Sequence, residues 1–112
     1  MKIDKELLKG STDLLVLSVL ENEAMYGYQM IKELKMKSQN VFEFQEGTLY
    51  PILHKLEGKK YIASSWNDES GKKRKYYKIT TDGKKHLLAK KEEWETFSSK
   101  VNQVIGGVLF GY

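Results

Sequence analysis

The chain has 112 residues, enough for one domain that buries about two thirds of the surface its unfolded form exposes. With 40% hydrophobic and 30% charged residues it fits neither a disordered segment nor a membrane protein. It has no cysteine, which excludes disulfides, thiolate nucleophiles and cysteine-bound zinc or iron–sulfur centres. The net charge of +4 permits an anionic partner without requiring one.

The apolar run from Leu14 to Leu20 follows Asp13 and is far shorter than the roughly 20 residues of a spanning helix. No small-residue cleavage site follows it, so the chain reads as soluble and cytoplasmic, without a membrane partner. Residues 5–22 are expected to form one helix, apolar nearly all round between 14 and 20. Such a helix is covered on more than one side, which in a short chain points to a second subunit. Asn22 to Met25 reads as a turn. A second helix starts at Gly27, with Gly27, Met30, Ile31 and Leu34 on one face, and ends near Ser38 to Asn40. Val41, Phe42 and Phe44 then drop into the core.

A third helix repeats the pattern with Leu49, Ile52, Leu53 and Leu56. Gly47 or Thr48 is its cap, and with Thr48 in that place Pro51 takes the third helical position, where no amide hydrogen is needed. Residues 61–66 and 75–79 are expected to be strands, Tyr77 and Ile79 facing inward, Tyr76 and Lys78 outward. Residues 67–74 form the polar hairpin tip between them. Trp66, at a strand end, reads as a packing residue. Thr80 or Thr81 caps a fourth helix that runs from about residue 82 to at least 105. Its Leu87, Trp94, Phe97, Val101, Val104 and Val108 are spaced as a heptad seam, interrupted at Lys90, which calls for a partner helix. Gly106 and Gly107 weaken its end.

Charge is unevenly spread. Residues 72–91 carry nine basic side chains and one acid, Asp82, whereas the rest of the chain sums to −4. A one-sign block beside Tyr76 and Tyr77 suits an anionic polymer; an ordinary lysine-rich surface accounts for it equally well.

Three helices, a basic hairpin and a long helix is the order of a winged helix-turn-helix with an added dimerisation helix. The blocks Tyr26-Gly27-Tyr28-Gln29-Met30-Ile31-Lys32-Glu33-Leu34, Glu46-Gly47-Thr48-Leu49-Tyr50-Pro51-Ile52-Leu53-His54-Lys55-Leu56-Glu57 and Arg74-Lys75-Tyr76-Tyr77-Lys78-Ile79-Thr80, followed by Gly83, resemble the PadR-like transcriptional regulators. The single C-terminal helix is similar to the short subfamily, which includes multidrug-sensing repressors. The resemblance implies a mostly α fold with a small β-hairpin, residues 1–80 forming the DNA-binding part and 81–112 the dimerisation helix of one compact unit. It also implies a symmetric homodimer that represses transcription and leaves its double-stranded operator, an inverted repeat, when a small molecule binds.

The resemblance places the third helix in the major groove. Thr48, Tyr50, His54 and Lys55 then offer donors to phosphates and base edges, joined by Pro51, Tyr26 and Tyr76. A solvated helix face is the plain alternative. Lys72, Lys73, Arg74 and Lys75 suit phosphates or the minor groove, with Asp68 and Glu69 opposing them on the same tip. Tyr26 and Tyr28 otherwise read as half-buried tyrosines packed on a neighbouring helix. Trp94 matches the aromatic residue with which multidrug-sensing relatives hold planar ligands, and Leu14, Phe97, Ser98 and Val101 would complete such a pocket. A tryptophan at heptad spacing also serves simply as an interface anchor. His54 and His86 stand alone, and no metal or phosphate-loop motif is present, so neither an enzyme nor a cofactor is expected. A DNA-binding protein without an effector, and a winged-helix module for an acidic protein partner, remain the competing readings.

Overall fold

A computed structural model of the chain describes residues 2–68 and 71–106. The helices are α1 (Lys5–Lys9), α2 (Thr12–Val19), α3 (Gly27–Lys37), α4 (Glu46–Gly58) and α5 (Thr81–Val104). The strands are β1 (Met25–Tyr26), β2 (Ile62–Asn67) and β3 (Arg74–Ile79), in one antiparallel sheet of order β1-β3-β2. This is a winged helix-turn-helix with β2 and β3 as the wing and α5 as a C-terminal extension. Among the described residues no helix is long and apolar enough to cross a membrane.

The expected first helix is two helices. Gly10 ends α1, the Ser11 amide turns back to the Leu8 carbonyl at 2.9 Å, and α2 restarts at Thr12. The break separates an exposed α1, where Leu7 is 69% accessible, from an α2 that, together with its C-cap Leu20, buries Val16, Leu17 and Val19. The expected turn at residues 22–25 is present but shorter: the chain bends at residues 21–23, and Met25 already belongs to β1, whose two residues pair with Tyr77 and Tyr76. A strand of two residues has no periodicity of its own.

The core joins those α2 residues to Met30 and Leu34 of α3, to Leu49, Leu53 and Leu56 of α4, and to Ile62, Tyr77 and Ile79 of the sheet. Phe44 is buried in the α3–α4 connection, and Phe42 packs against the core. The Ser38 hydroxyl holds the exit of α3, donating to the Leu34 carbonyl at 2.7 Å and accepting the Phe42 amide at 2.8 Å. Gln39 and Asn40 follow with positive φ.

Helix α4 starts earlier than expected, with Gln45 as its cap. The Thr48 and Leu49 amides both reach the Gln45 carbonyl. Pro51 therefore lies in the second helical turn, where it removes one ladder hydrogen bond, and not at an unpaired first-turn position.

The entry of α5 is tightly fastened. The Gly83 amide donates to the Thr80 hydroxyl at 3.0 Å, and the Thr80 amide donates to the Tyr61 carbonyl at 3.0 Å. A Cβ at Gly83 would overlap that same carbonyl oxygen and come within 2.8 Å of Ile79. Only glycine lets α5 start this close to the β2 approach.

Beyond this point the helix outruns the body. Leu87 is buried, and Lys91 pairs with Glu21 at 2.9 Å. Twenty-four residues span about 36 Å at the α-helical rise. The radius of gyration is 15.8 Å, with extents of 54 × 30 × 22 Å, against about 13 Å for a compact chain of this length. The seam's Val108 and the apolar tail Val108-Leu109-Phe110 lie outside the described residues, as do Gly107, Glu69 and Ser70.

Candidate nucleic-acid interface

The outward ridge of α4 follows from its period. Leu49, Leu53 and Leu56 take the core side, which leaves Gly47, Pro51 and His54 near the opposite line at about 100° per residue. Thr48, Pro51 and His54 are exposed. The other two expected contacts on this helix are engaged within the chain. Tyr50, 43% accessible, lies over Gly27, where a Cβ would overlap its hydroxyl. Lys55 points toward α2, its ammonium 2.8 Å from Asp13 Oδ1.

The wing splits the basic strip between two faces. On the side facing the helices, Ile62, Ser64 and Trp66 stand opposite Ile79, Tyr77 and Lys75. Ser64 hydrogen-bonds the Glu57 carboxylate of α4. On the other side Ser65 and Asn67 stand opposite Tyr76 and Arg74. The Arg74 guanidinium lies 4.5 Å from the centre of the Tyr26 ring, which meets Tyr76 edge-on at 5.4 Å. Arg74, Tyr26 and Tyr76 thus form one half-buried cluster joining β1 to β3. Lys72 and Lys73 are exposed, and Lys75 is half-buried with its ammonium 5.6 Å from the Tyr77 ring. Tyr77 itself is buried, and its pKa is raised by that burial first and then by the negative charge of Glu57 and the phenol of Tyr50.

Two aromatic side chains differ from expectation. Trp66 is not a packing residue: it is 62% accessible. Its register partner is Lys75, and the Lys73 ammonium lies 5.5 Å from its ring. The sheet outlasts the core at this end, so among the described residues the indole stays largely bare. Tyr28 is not half-buried either; it is 57% accessible, with Lys32 above its ring. Tyr26 is half-buried, and its amide donates to the Gln29 side chain at 3.0 Å. The exposure of Trp66 was legible only indirectly, in the lysines around it.

On α5 and its C-cap, Leu87, Trp94, Ser98, Val101 and Ile105 fall within about 40° of one line. Leu87 is 2% accessible, but Trp94 is 47%, Val101 36% and Ile105 68%. The face that the body covers at Leu87 thus continues uncovered. The rings of Trp94 and Phe97 lie 6.1 Å apart. Leu14 packs against the core, and the Ser98 hydroxyl donates to the Glu95 carbonyl at 3.3 Å. A shallow, open depression along this helix is lined by Ala89, Glu92, Glu93, Thr96, Phe97 and Lys100, so of the five expected pocket residues it includes Phe97 alone. Among the described residues no group of three or more histidines, aspartates or glutamates is placed to hold a metal ion.

Comparison with known proteins agrees with this architecture. A model of the Transcriptional regulator PadR-like family matches residues 16–89, from α2 through the wing to the first part of α5. A transcriptional regulator from Clostridium thermocellum (Cth-833) is 34% identical, with a TM-score of 0.83 over 88% of this chain and 97% of that one. A PadR family transcription regulator from Clostridium difficile R20291 is 38% identical, with a TM-score of 0.75 over 86% and 99%. A protein of Lysinibacillus sphaericus is 31% identical over 95% of this chain and 98% of its own length. The chain belongs to the PadR-like family of transcriptional regulators, DNA-binding proteins built on a winged helix-turn-helix.

Proposed function

We propose that this regulator is a homodimeric repressor that holds an inverted-repeat operator and leaves it when a planar aromatic molecule binds at the dimer axis. The observation that carries the reading is the α5 face, buried at Leu87 and bare from Trp94 to Ile105. A stripe of this kind in solution is a docking surface, and a second copy of α5 supplies a matching one. Two-fold pairing presents two α4 ridges, which suits half-sites about one helical turn apart. Thr48, Pro51 and His54 face the major groove, and Lys72 and Lys73 reach phosphates beside it. Arg74, Tyr76 and Tyr26 brace the wing, with Lys75 at its inner edge.

The effector part rests on Trp94. Across a two-fold axis, two indoles with Phe97 and Val101 make a flat apolar slot, in which offset stacking adds about 0.5–1.5 kcal/mol beyond burial. Ser98 lies on the same line, and Leu14 enters only if α2 adjusts. Because α5 is fastened to the wing through Thr80 and Gly83, a shift between the two α5 helices changes the spacing of the two α4 ridges. A ligand that prefers the DNA-incompetent spacing ~100-fold shifts the balance by ~2.7 kcal/mol.

Light scattering at micromolar concentration tests the dimer, and a monomeric mass overturns it. Mobility shifts with the DNA upstream of the protein's own gene should favour operator over scrambled duplex, and equal affinity removes the operator reading. Titration with planar dyes, phenolic acids and antibiotics separates the effector from a plain interface role. If Trp94→Ala binds them as tightly as the parent, or if none alters operator affinity, Trp94 serves the interface only.

A further inference from the structure

Lys55 is the only lysine on the recognition helix α4, and it does not extend toward the outward ridge. Its ammonium sits 2.8 Å from Asp13 Oδ1, in the first turn of α2. The Asp13 side chain is 16% accessible and that of Lys55 is 49%. Asp13 Oδ1 is buried and accepts no hydrogen bond of good geometry among the described residues, so the contact is one of charge. A lysine stem is long and flexible. Lys55 also follows His54, which faces outward. The ammonium therefore has two anionic destinations: the Asp13 carboxylate, or a DNA phosphate beside the α4 ridge.

From this geometry we infer that Asp13 is a positioning residue that withholds Lys55 from DNA and so lowers the sequence-independent part of the protein's affinity. The inference rests on the reading of α4 as the DNA-facing helix. A lysine on phosphate adds affinity for every sequence alike, whereas base-edge contacts discriminate. Holding this cation back leaves recognition to Thr48 and His54 and raises the ratio of operator to random-sequence binding.

The device sits where it could be adjusted. Asp13 precedes Leu14 on α2, and α2 packs on α5 near Leu87, with Glu21 just beyond its end holding Lys91. A displacement of α2 by α5 therefore moves the carboxylate relative to Lys55, without any change in α4 itself.

The test is a double-mutant cycle of Asp13→Asn and Lys55→Gln, read as affinity for random-sequence duplex against salt concentration. Asp13→Asn should tighten random-sequence binding and steepen the salt dependence by about 0.9 per subunit, so that its advantage shrinks about 3.5-fold per subunit between 50 and 200 mM salt. Lys55→Gln alone should leave the slope unchanged. In the Lys55→Gln background Asp13→Asn should have no effect on the slope. A structural pair alone would lower the melting temperature of both single variants and leave the salt slope where it was. Asp13→Ala, which cannot retain the ammonium by a neutral hydrogen bond, repeats the measurement if the asparagine variant folds poorly.

An unchanged slope in Asp13→Asn overturns the inference. So does a flatter slope in Lys55→Gln alone, because Lys55 would then already lie on phosphate. If the parent protein binds no duplex at low salt, the α4 reading itself fails, an outcome distinct from both.

Discussion

The wing and the far half of α5 each expose a tryptophan, and the two differ in the company they keep. Trp66 has the Lys73 ammonium over its ring and Lys75 as its register partner in the sheet. Trp94 has Phe97 beside it and shares its helix line with Val101 and Ile105. An indole among ammonium groups suits a polyanion, because the cations supply the attraction and the ring supplies contact area and an N–H donor. An indole on an apolar line suits another apolar surface, because removal from water is its main source of binding energy. Exposure by itself therefore says little about purpose; the charge of the neighbours decides it.

The largest effect expected from this contrast is on association. Val101→Asp combined with Ile105→Asp places carboxylates on the apolar line and should weaken the proposed dimer at least ~1000-fold, or about 4 kcal/mol. Sedimentation over a concentration series reads this. The same experiment on Lys72→Ala with Lys73→Ala should show no change, and loss of the dimer in the wing variant would erase the distinction between the two regions.

Next in size is the difference within α5 itself. Leu87→Ala removes a buried side chain and should cost about 2–5 kcal/mol of unfolding free energy. Leu88→Ala, next to it in sequence but 59% accessible, should stay within about 0.5 kcal/mol. Urea titrations of the two variants decide this, and equal destabilisation would mean that α5 is covered on more than one face.

A smaller effect separates the tryptophans directly. In Trp94→Phe the remaining Trp66 emission should change on addition of duplex DNA, and the change should fade as salt rises. In Trp66→Phe the Trp94 emission should respond to planar dyes. Lys73→Ala should flatten the salt dependence of DNA affinity by about 0.9 for each phosphate that the ammonium no longer neutralises. A Trp66 signal indifferent to DNA would remove the wing's helix-facing side from the interface.

The smallest effect is at alkaline pH, at the buried root of the wing. Tyr77 has a raised pKa, through burial and then the negative charge of Glu57 and the phenol of Tyr50. The folded chain therefore keeps this proton where the unfolded chain gives it up. Its contribution is fully present below the ordinary tyrosine pKa of about 10 and is lost as pH rises through the folded value. Tyr77→Phe should remove this part of the alkaline loss in melting curves recorded above that range. An identical alkaline profile in the variant would place the titration elsewhere.

What could be learned from the sequence alone was whatever repeats within a few residues. Gly27, Met30, Ile31 and Leu34 marked the inner face of α3, and Leu49, Leu53 and Leu56 that of α4. The alternation of Tyr76, Tyr77, Lys78 and Ile79 marked the two sides of β3. A cap at Thr80 or Thr81 and the 7-3-4 spacing after Leu87 described α5 nearly to its end. These features are local: a backbone period of 3.6 or 2 decides which side chains share a face, whatever else the chain does.

Tertiary structure decided what depends on segments far apart in sequence. The two residues of β1 are a strand only because β3 lies beside them. Helix α4 begins at Glu46, so Pro51 costs a hydrogen bond that a later start would have spared. Tyr50 rests on Gly27, Gly83 fits under the Tyr61 carbonyl, and Trp66 stays bare because the core stops at Tyr77. In the sequence Lys55 is one more cation on the helix proposed to face DNA; the fold sets Asp13, forty-two positions earlier in the chain, 2.8 Å from it. Coulomb attraction acts through space, and only the fold sets which charges are neighbours in space.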